Sequence, residues 1–156
     1  MKRIVTIPAF ALLFAGCLAS APKAPKYWCI NADTDLKVSD ISVAAPYDGQ
    51  RFAVLRPDGS VAFDGFNSFS ARPVQLVSAS VCIDYSSPTL FVRKLALDCT
   101  VKGERKAVVE LWLGEDPQSA IQGVGVSDAA DGNYSRAFTE AFEAATDRLI
   151  KLQSGR

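Results

Sequence analysis

The side chains with the most distinctive chemistry in this sequence are its four cysteines, and Cys17 stands apart from the other three. It follows Lys2 and Arg3, an apolar run over residues 4–14, and the small pair Ala15-Gly16. A secretory signal has a basic start, an apolar core of about 7–15 residues and small residues at the cleavage site. A cysteine directly after that site supplies a thiol for lipid attachment. The sequence therefore predicts removal of residues 1–16 and lipidation of Cys17, with an ordinary cleaved signal as the alternative.

Lipidation would anchor the protein to a membrane without a membrane-spanning segment. The mature chain would have 140 residues, and none of its segments reaches the roughly 18 apolar residues that a spanning helix needs. Two or more acyl chains hold a protein stably at a bilayer. Leu18 follows the cysteine where an Asp would favour the inner membrane in the sorting of Gram-negative lipoproteins. By that analogy, the protein is expected on the periplasmic face of the outer membrane.

The other three cysteines are Cys29, Cys82 and Cys99, and an oxidising envelope would allow one disulfide among them. Cys29 and Cys99 both lie in apolar, strand-like stretches, so a Cys29–Cys99 disulfide is the first choice. Buried free thiols that pack as small apolar groups are the alternative. No metal site is predicted, because the sequence has no histidine and no Cys-x-x-Cys unit.

The absence of histidine also excludes Ser-His-Asp and Cys-His nucleophile systems. Carboxylates remain as candidates for acid–base catalysis, and four were considered: Asp58, Asp64, Glu110 and Asp128. They fall in turns or on strands without visible pairing, which favours turn-capping or solvated roles. We therefore expect a protein that is not an enzyme and that needs no cofactor. The mature chain would carry 15 basic and 17 acidic side chains, a balance that does not favour nucleic-acid binding.

The elements that would position these residues form one predicted domain over residues 27–153, after a lipidated tether over residues 17–26. Alternating and short apolar runs predict six or seven strands, and Pro57-Asp58-Gly59-Ser60 predicts a hairpin turn between residues 51–55 and 61–66. An apolar stretch around Gly123 and Gly125 predicts a strand bent at its glycines.

Two helices complete the prediction. Pro73 is suited to a first helical turn, and apolar residues up to Ile83 continue at helical spacing until the Ser86-Ser87-Pro88 stop. The last helix opens after Asp131-Gly132-Asn133 and carries a continuous apolar stripe, interpreted as core. The fold class expected is an α/β or α+β sandwich, with a mixed sheet of about six strands covered by two main helices.

These features in their order resemble the ABC-type transport auxiliary lipoproteins. The resemblance rests on the lipoprotein cysteine and short tether, the Tyr27-Trp28 strand, the segment Pro46-Tyr47-Asp48-Gly49-Gln50-Arg51, the segment Phe66-Asn67-Ser68-Phe69, the helix-opening Pro73 and the terminal helix over residues 137–152. It implies a non-catalytic, outer-membrane-anchored component of an envelope-spanning lipid transport system. The expected partner is a periplasmic protein with mammalian-cell-entry domains, or another copy of this chain in a homo-oligomer.

Residues 51–69 are predicted to contact that partner, because aromatic side chains crowd around a tight turn. The predicted interface residues are Arg51, Phe52, Phe63, Phe66, Asn67 and Phe69. The alternative, that the four phenylalanines all fill the core, is equally open. A second function also remains open: an envelope lipoprotein of another kind, such as a cell-wall synthase activator or the pilot of an outer-membrane pore.

Overall fold

A mixed seven-stranded sheet forms the frame of the fold. The computed structural model describes residues 23–116 and 118–155. Cys17 and the predicted signal over residues 1–16 therefore lie outside the described residues. The strands are β1 (Lys26–Trp28), β2 (Lys37–Val38), β3 (Ile41–Val43), β4 (Arg51–Leu55), β5 (Val61–Phe69), β6 (Cys82–Ile83), β7 (Thr89–Asp98), β8 (Lys106–Gly114) and β9 (Ile121–Asp128). The helices are α1 (Pro73–Ser78) and α2 (Tyr134–Ser154). The predicted α+β sandwich with two helices is confirmed.

The sheet runs in the order β1-β5-β4-β7-β8-β9, and β3 lies beside β7 in line with β4. Strand β7 is long enough to pair with both: its first half is parallel to β3 at Leu90–Val92, and its last residues are parallel to β4. β1 is parallel to β5, whereas β7, β8 and β9 form an antiparallel meander. β2 and β6 make a separate two-stranded parallel sheet.

The β4–β5 hairpin turns where the sequence predicted it. The amide of Gly59 donates to the carbonyl of Arg56 at 2.9 Å, and the amide of Arg56 donates to the carbonyl of Ser60 at 3.0 Å. Gly59 has φ of 79°, a left-handed conformation that glycine adopts without steric cost. Asp58 accepts hydrogen bonds from both the amide and the hydroxyl of Ser60. The local sequence therefore determines this turn.

Helix α2 packs closely against β8 and β9 because β9 carries glycines where the helix crosses it. A Cβ on Gly125 would lie 1.7 Å from the carbonyl oxygen of Ala141, and a Cβ on Gly123 would lie 2.2 Å from that of Ala145. From the sequence alone, these glycines were explained by a bend in the strand. The structure gives them another role, because glycines in β9 and alanines in α2 together let the backbones of the strand and the helix approach each other. The apolar stripe of α2 is buried from Tyr134 to Leu149, as predicted, while Leu152 is exposed.

Two predicted elements differ from the structure. Helix α1 ends at Ser78 instead of continuing towards Ile83, because the chain after it enters β6: the amide of Cys82 donates to the carbonyl of Leu36 at 2.9 Å. The two predicted strands over residues 90–92 and 95–101 are one strand, β7, with an irregularity between Val92 and Lys94.

The predicted Cys29–Cys99 disulfide is wrong: Cys29, Cys82 and Cys99 are all free thiols. Cys29 follows β1 and Cys99 follows β7, and the sheet places β5 and β4 between those two strands. Neighbouring strands are about 4.8 Å apart, so three spacings give about 14 Å, well beyond the separation that a disulfide spans. The amide of Cys29 instead donates a hydrogen bond to the hydroxyl of Ser135 in helix α2, at 3.1 Å.

Candidate functional site

A wide irregularity in β5 builds one wall of the candidate site. Arg51 pairs with Ser68 and Ala53 pairs with Phe63, which leaves residues 64–67 opposite a single residue of β4. The carboxylate of Asp64 accepts hydrogen bonds from other residues of this bulge. Its Oδ1 accepts from the amides of Phe66 (2.7 Å) and Asn67 (2.8 Å), and its Oδ2 accepts from Asn67 Nδ2 (3.0 Å). Bulges of this kind redirect side chains out of the regular pleat.

Side chains from β1, the β7–β8 connection and α2 meet at this bulge. The indole Nε1 of Trp28 donates to Asn67 Oδ1 at 2.9 Å, and the Trp28 ring packs edge-on against Tyr134 at 5.2 Å between centroids. The guanidinium Nη1 of Arg105 donates to the Tyr134 hydroxyl at 2.6 Å. Two hydrogen bonds and one aromatic contact thus link four segments that are remote in sequence.

These residues enclose a cavity of about 300 Å³, which we call the tether pocket because the first described residues form part of its wall. It is lined by Lys23, Ala24, Lys26, Trp28, Asp64, Phe66, Asn67, Arg105, Gly132 and Tyr134. Lys23 Nζ lies 5.9 Å from the centroid of the exposed Phe66 ring. The pocket therefore joins cationic and aromatic side chains at the end of the domain from which the tether leaves.

Positive charge prevails in the tether pocket. Lys23, Lys26 and Arg105 line it against one carboxylate, Asp64. Among the described residues, the ion pairs within 4.0 Å involve none of these three cations. Burial opposes ionisation of Asp64, but the hydrogen bonds from Asn67 and from the Phe66 amide, with the charge of Arg105, lower its pKa below the usual value. Asp64 is therefore ionised at neutral pH, and the pocket keeps an excess of two positive charges.

The residues predicted as a partner interface divide among three places. Phe52 and Phe69 are 0% and 1% exposed and pack against each other and Phe138, so their prediction as interface residues is wrong. They belong to the core because they lie on the sheet face that α2 covers. Phe66 and Asn67 line the tether pocket.

Arg51 and Phe63 remain at the surface, where they line a second depression of about 480 Å³ beside the loop over residues 46–50. Phe63 is 46% exposed. The strand registers place it in a row across the sheet face opposite α2, together with Ala53, Ala96, Val108 and Val126. We call this depression and row the open-face surface; Phe63 and Val126 are exposed at its two ends, and the small side chains of Ala53 and Ala96 between them are buried.

The four carboxylates considered for catalysis are engaged locally. Asp58 caps the hairpin turn, Asp64 closes the bulge, and Asp128 accepts from the amide of Ala130 at 3.0 Å. Glu110 accepts from Trp112 Nε1 at 2.9 Å and lies 3.6 Å from Lys94 Nζ. Each has a partner close to it in the chain or across the sheet.

Sequence reasoning missed Trp28, Arg105 and Tyr134 as pocket residues. Trp28 was identified only as part of a short strand, and Tyr134 belongs to the apolar stripe of the last helix, where its hydroxyl group was not considered. A signal was present in the aromatic and basic residues Lys23, Lys26 and Trp28 near the tether, but nothing in the sequence connects them to Arg105.

Residues 23–116 and 118–155 also bear on membrane spanning and on metal binding. None of the helices described there is both long and apolar enough to cross a bilayer. No group of three or more cysteine or acidic side chains is arranged in that region to hold a metal ion.

Comparison with known proteins finds similarity at the level of the fold. No family model matches the sequence, and no curated protein matches it. The crystal structure of protein XCC0632 from Xanthomonas campestris, described with the family name DUF330, is similar with a TM-score of 0.52 and 17% sequence identity; the match covers 83% of this chain and 85% of that one. An uncharacterized protein of known crystal structure has a TM-score of 0.51 and 15% identity, over 82% of this chain and 99% of that one. The chain therefore shares its fold with proteins that include one carrying the DUF330 name.

Proposed function

We propose that this protein is an outer-membrane-anchored auxiliary lipoprotein of an ABC-type lipid transport system with mammalian-cell-entry-domain components. In this role it binds or docks and does not catalyse. The proposal includes membership of the ABC-type transport auxiliary lipoproteins. The observation that carries it is the Cys17 signal followed directly by a tether and a folded domain, and the fold likeness to XCC0632 supports it at the level of architecture.

The distance between anchor and domain supports a location at the membrane surface. Lys23, the first described residue, is six residues beyond Cys17. Six extended residues span at most about 20 Å, so the tether cannot carry Lys23 further than that from an acylated Cys17. An acylated Cys17 would therefore hold one end of the domain beside the lipid headgroups.

The side chains at that end suit such a location. Lys23 and Lys26 are exposed cations, and Tyr27 and Phe66 are 65% and 51% exposed. Amphipathic and basic residues of these types favour the boundary between lipid headgroups and water, where aromatic rings contact acyl chains and ammonium groups contact phosphates. The tether pocket lies among them.

The open-face surface is the proposed contact for the periplasmic partner. It retains two residues of the predicted interface, Arg51 and Phe63, and it lies on the side of the sheet opposite α2. Phenylalanine and arginine are both among the residues enriched in the cores of protein interfaces.

The anchor is tested by replacing Cys17 with Ala in the cell. We expect loss of acyl-chain labelling and release of the protein from the outer-membrane fraction. A variant that still sediments with outer membranes would refute the anchor.

The partner is tested by purifying the detergent-solubilised wild-type protein and identifying the proteins that accompany it. A mammalian-cell-entry-domain protein is expected, and its recovery should fall at least tenfold for Phe63→Ala, a hot-spot effect of about 2 kcal/mol. Val101→Ala is the matched control, because Val101 is an exposed apolar residue in a turn outside the open-face surface. Recovery of a cell-wall synthase or an outer-membrane pore instead would replace the proposal with the alternative function.

A further inference from the structure

We propose that the tether pocket binds a phosphate-bearing anion, the charged group that lipid headgroups share with free phosphate. The pocket gathers Lys23, Lys26 and Arg105 in one cavity of about 300 Å³. This ligand site belongs to the folded domain and is separate from the covalent lipid proposed for Cys17.

Arg105 is the central donor of this site. Its Nη1 is oriented by the Tyr134 hydroxyl at 2.6 Å, and a guanidinium has five N–H donors, so further donors remain for a ligand. A guanidinium held in one orientation matches two phosphate oxygens at once, and lysine ammonium groups add attraction without fixing geometry. Lys23 and Lys26 also line the pocket, on the segment that continues into the tether.

The single carboxylate of the pocket does not cancel this charge. Asp64 uses Oδ1 to accept two backbone amides and Oδ2 to accept the Asn67 side chain, so the bulge itself satisfies it. Asn67 in turn accepts from Trp28, which fixes the aromatic wall. Three cations against one satisfied carboxylate make the cavity attractive to an anion.

The size and lining of the pocket select a small polar group. A volume of about 300 Å³ is at the lower end of the range for small-molecule sites. It accommodates a phosphodiester with a glycerol or a similar substituent, whereas acyl chains would stay outside, near the exposed rings of Phe66 and Tyr27.

A lipid source for the anion rests on the proposed function, because only an acylated Cys17 holds the pocket within about 20 Å of the headgroups. Binding of phosphate itself does not depend on the anchor. The two proposals can therefore be refuted independently. A wild-type protein without acyl label would refute the membrane anchor, and a pocket that does not bind phosphate would refute the ligand site.

The experiment uses Trp28 as an internal probe in the full-length protein purified from membranes in neutral detergent. The chain has two tryptophans, so Trp112→Phe isolates the fluorescence of Trp28. One arm titrates inorganic phosphate. Two further arms add phosphatidylglycerol or phosphatidylcholine to the micelles. We expect a saturable fluorescence change with phosphate and with phosphatidylglycerol, and a weaker one with zwitterionic phosphatidylcholine.

Arg105→Gln should weaken the apparent affinity at least tenfold, in line with the loss of a charge-assisted hydrogen bond. Lys26→Gln is a second variant, at an exposed lysine of the pocket, and should weaken the apparent affinity several-fold with an unchanged thermal midpoint. Lys151→Gln, which removes a cation from the far end of α2, is the matched control and should bind as wild type.

Each outcome decides the proposal. A response to phosphatidylglycerol and phosphate that both pocket variants weaken supports a headgroup site, and a response to phosphate alone supports a free phosphate ligand. No saturable response to either, or a response that Arg105→Gln and Lys26→Gln leave unchanged, overturns the proposal.

Discussion

Asp64 is the residue on which the shape of the tether pocket depends, because three hydrogen bonds from residues 66 and 67 end on its carboxylate. The pKa of this carboxyl is lower in the folded protein than its usual value near 3.8. A lowered folded-state pKa contributes stability above the unfolded-state pKa, and this contribution is lost as the pH falls through the folded-state value.

We expect Asp64→Ala to lower the free energy of unfolding at pH 7 and to reduce the decline of that free energy as the pH falls below about 4. Denaturant titrations at several pH values measure both effects. Asp33→Ala, which removes an exposed carboxylate, is the control and should leave the pH profile close to that of wild type. An unchanged profile in Asp64→Ala would show that the bulge does not depend on this carboxylate.

Phe69 and Phe63 belong to one hairpin but have opposite environments. The Phe69 ring lies 4.5 Å from that of Phe52 and 5.1 Å from that of Phe138, whereas Phe63 is about half exposed. We expect Phe69→Ala to reduce the free energy of unfolding by about 3–5 kcal/mol, because it leaves a cavity in the core. Phe63→Ala should cost less than about 1 kcal/mol. Similar losses for the two variants in chemical denaturation would contradict this assignment.

The free thiols give a further prediction at the scale of single residues. Alkylation of the denatured, unreduced mature protein should modify Cys29, Cys82 and Cys99, since the sheet separates Cys29 from Cys99. Intact-mass spectrometry counts the added groups. A protein that gains only one group would contain a disulfide and would require a different arrangement of these strands.

Among the elements, those with local causes could be predicted from the sequence. The hairpin turn follows from Asp58 and Gly59, and α2 follows from its cap at Asn133 and its apolar stripe. The extension of α1 towards Ile83 was wrong because β6 forms only through pairing with β2, 45 residues earlier. Where an apolar run could form either a helix or a strand, such a distant pairing partner determines which of the two it forms.

The candidate site was predictable only in part for the same reason. Phe66 and Asn67 were identified because they lie in one aromatic segment. Their pocket partners Trp28 and Arg105 are separated from them by 39 residues in one case, and by two strands in the other. Alternation along β5 would place Phe63 and Phe69, six residues apart, on the same face, but the bulge over residues 64–67 shifts the pleat, so that Phe69 is buried and Phe63 is exposed.

The packing of α2 on β9 yields a prediction for that pair of elements. Gly125→Ala places a Cβ against the backbone of Ala141, which can move only if the helix moves. We expect the free energy of unfolding to fall by about 1–3 kcal/mol, as it does for other overpacked cores. Gly49→Ala is the control, because a Cβ there would have no heavy atom within 4 Å. A stable Gly125→Ala variant would show that α2 can withdraw from the sheet at little cost.

At the scale of the whole molecule, helix α2 runs from the tether pocket, where it begins, to a second end of the domain, where it finishes. The tether joins at the pocket, which Tyr134 at the start of α2 helps to line. Lys151 is 17 residues further along the same helix, so it lies about 25 Å away along the helix axis. An anchor on Cys17 should therefore hold Lys23 and Lys26 near the headgroups and leave Lys151 in water.

We expect this polarity to be measurable by acetylating lysines in the protein reconstituted into phospholipid vesicles. Compared with the protein in detergent, Lys23 and Lys26 should react several-fold more slowly, because headgroups and their phosphates restrict access of the reagent, while Lys151 should react at the same rate. Quantitative mass spectrometry of the lysine peptides gives the rates. The Cys17→Ala protein mixed with the same vesicles is the control and should lose the protection. Equal protection of all three lysines would mean that the domain lies on the membrane without the orientation that the tether and the pocket imply.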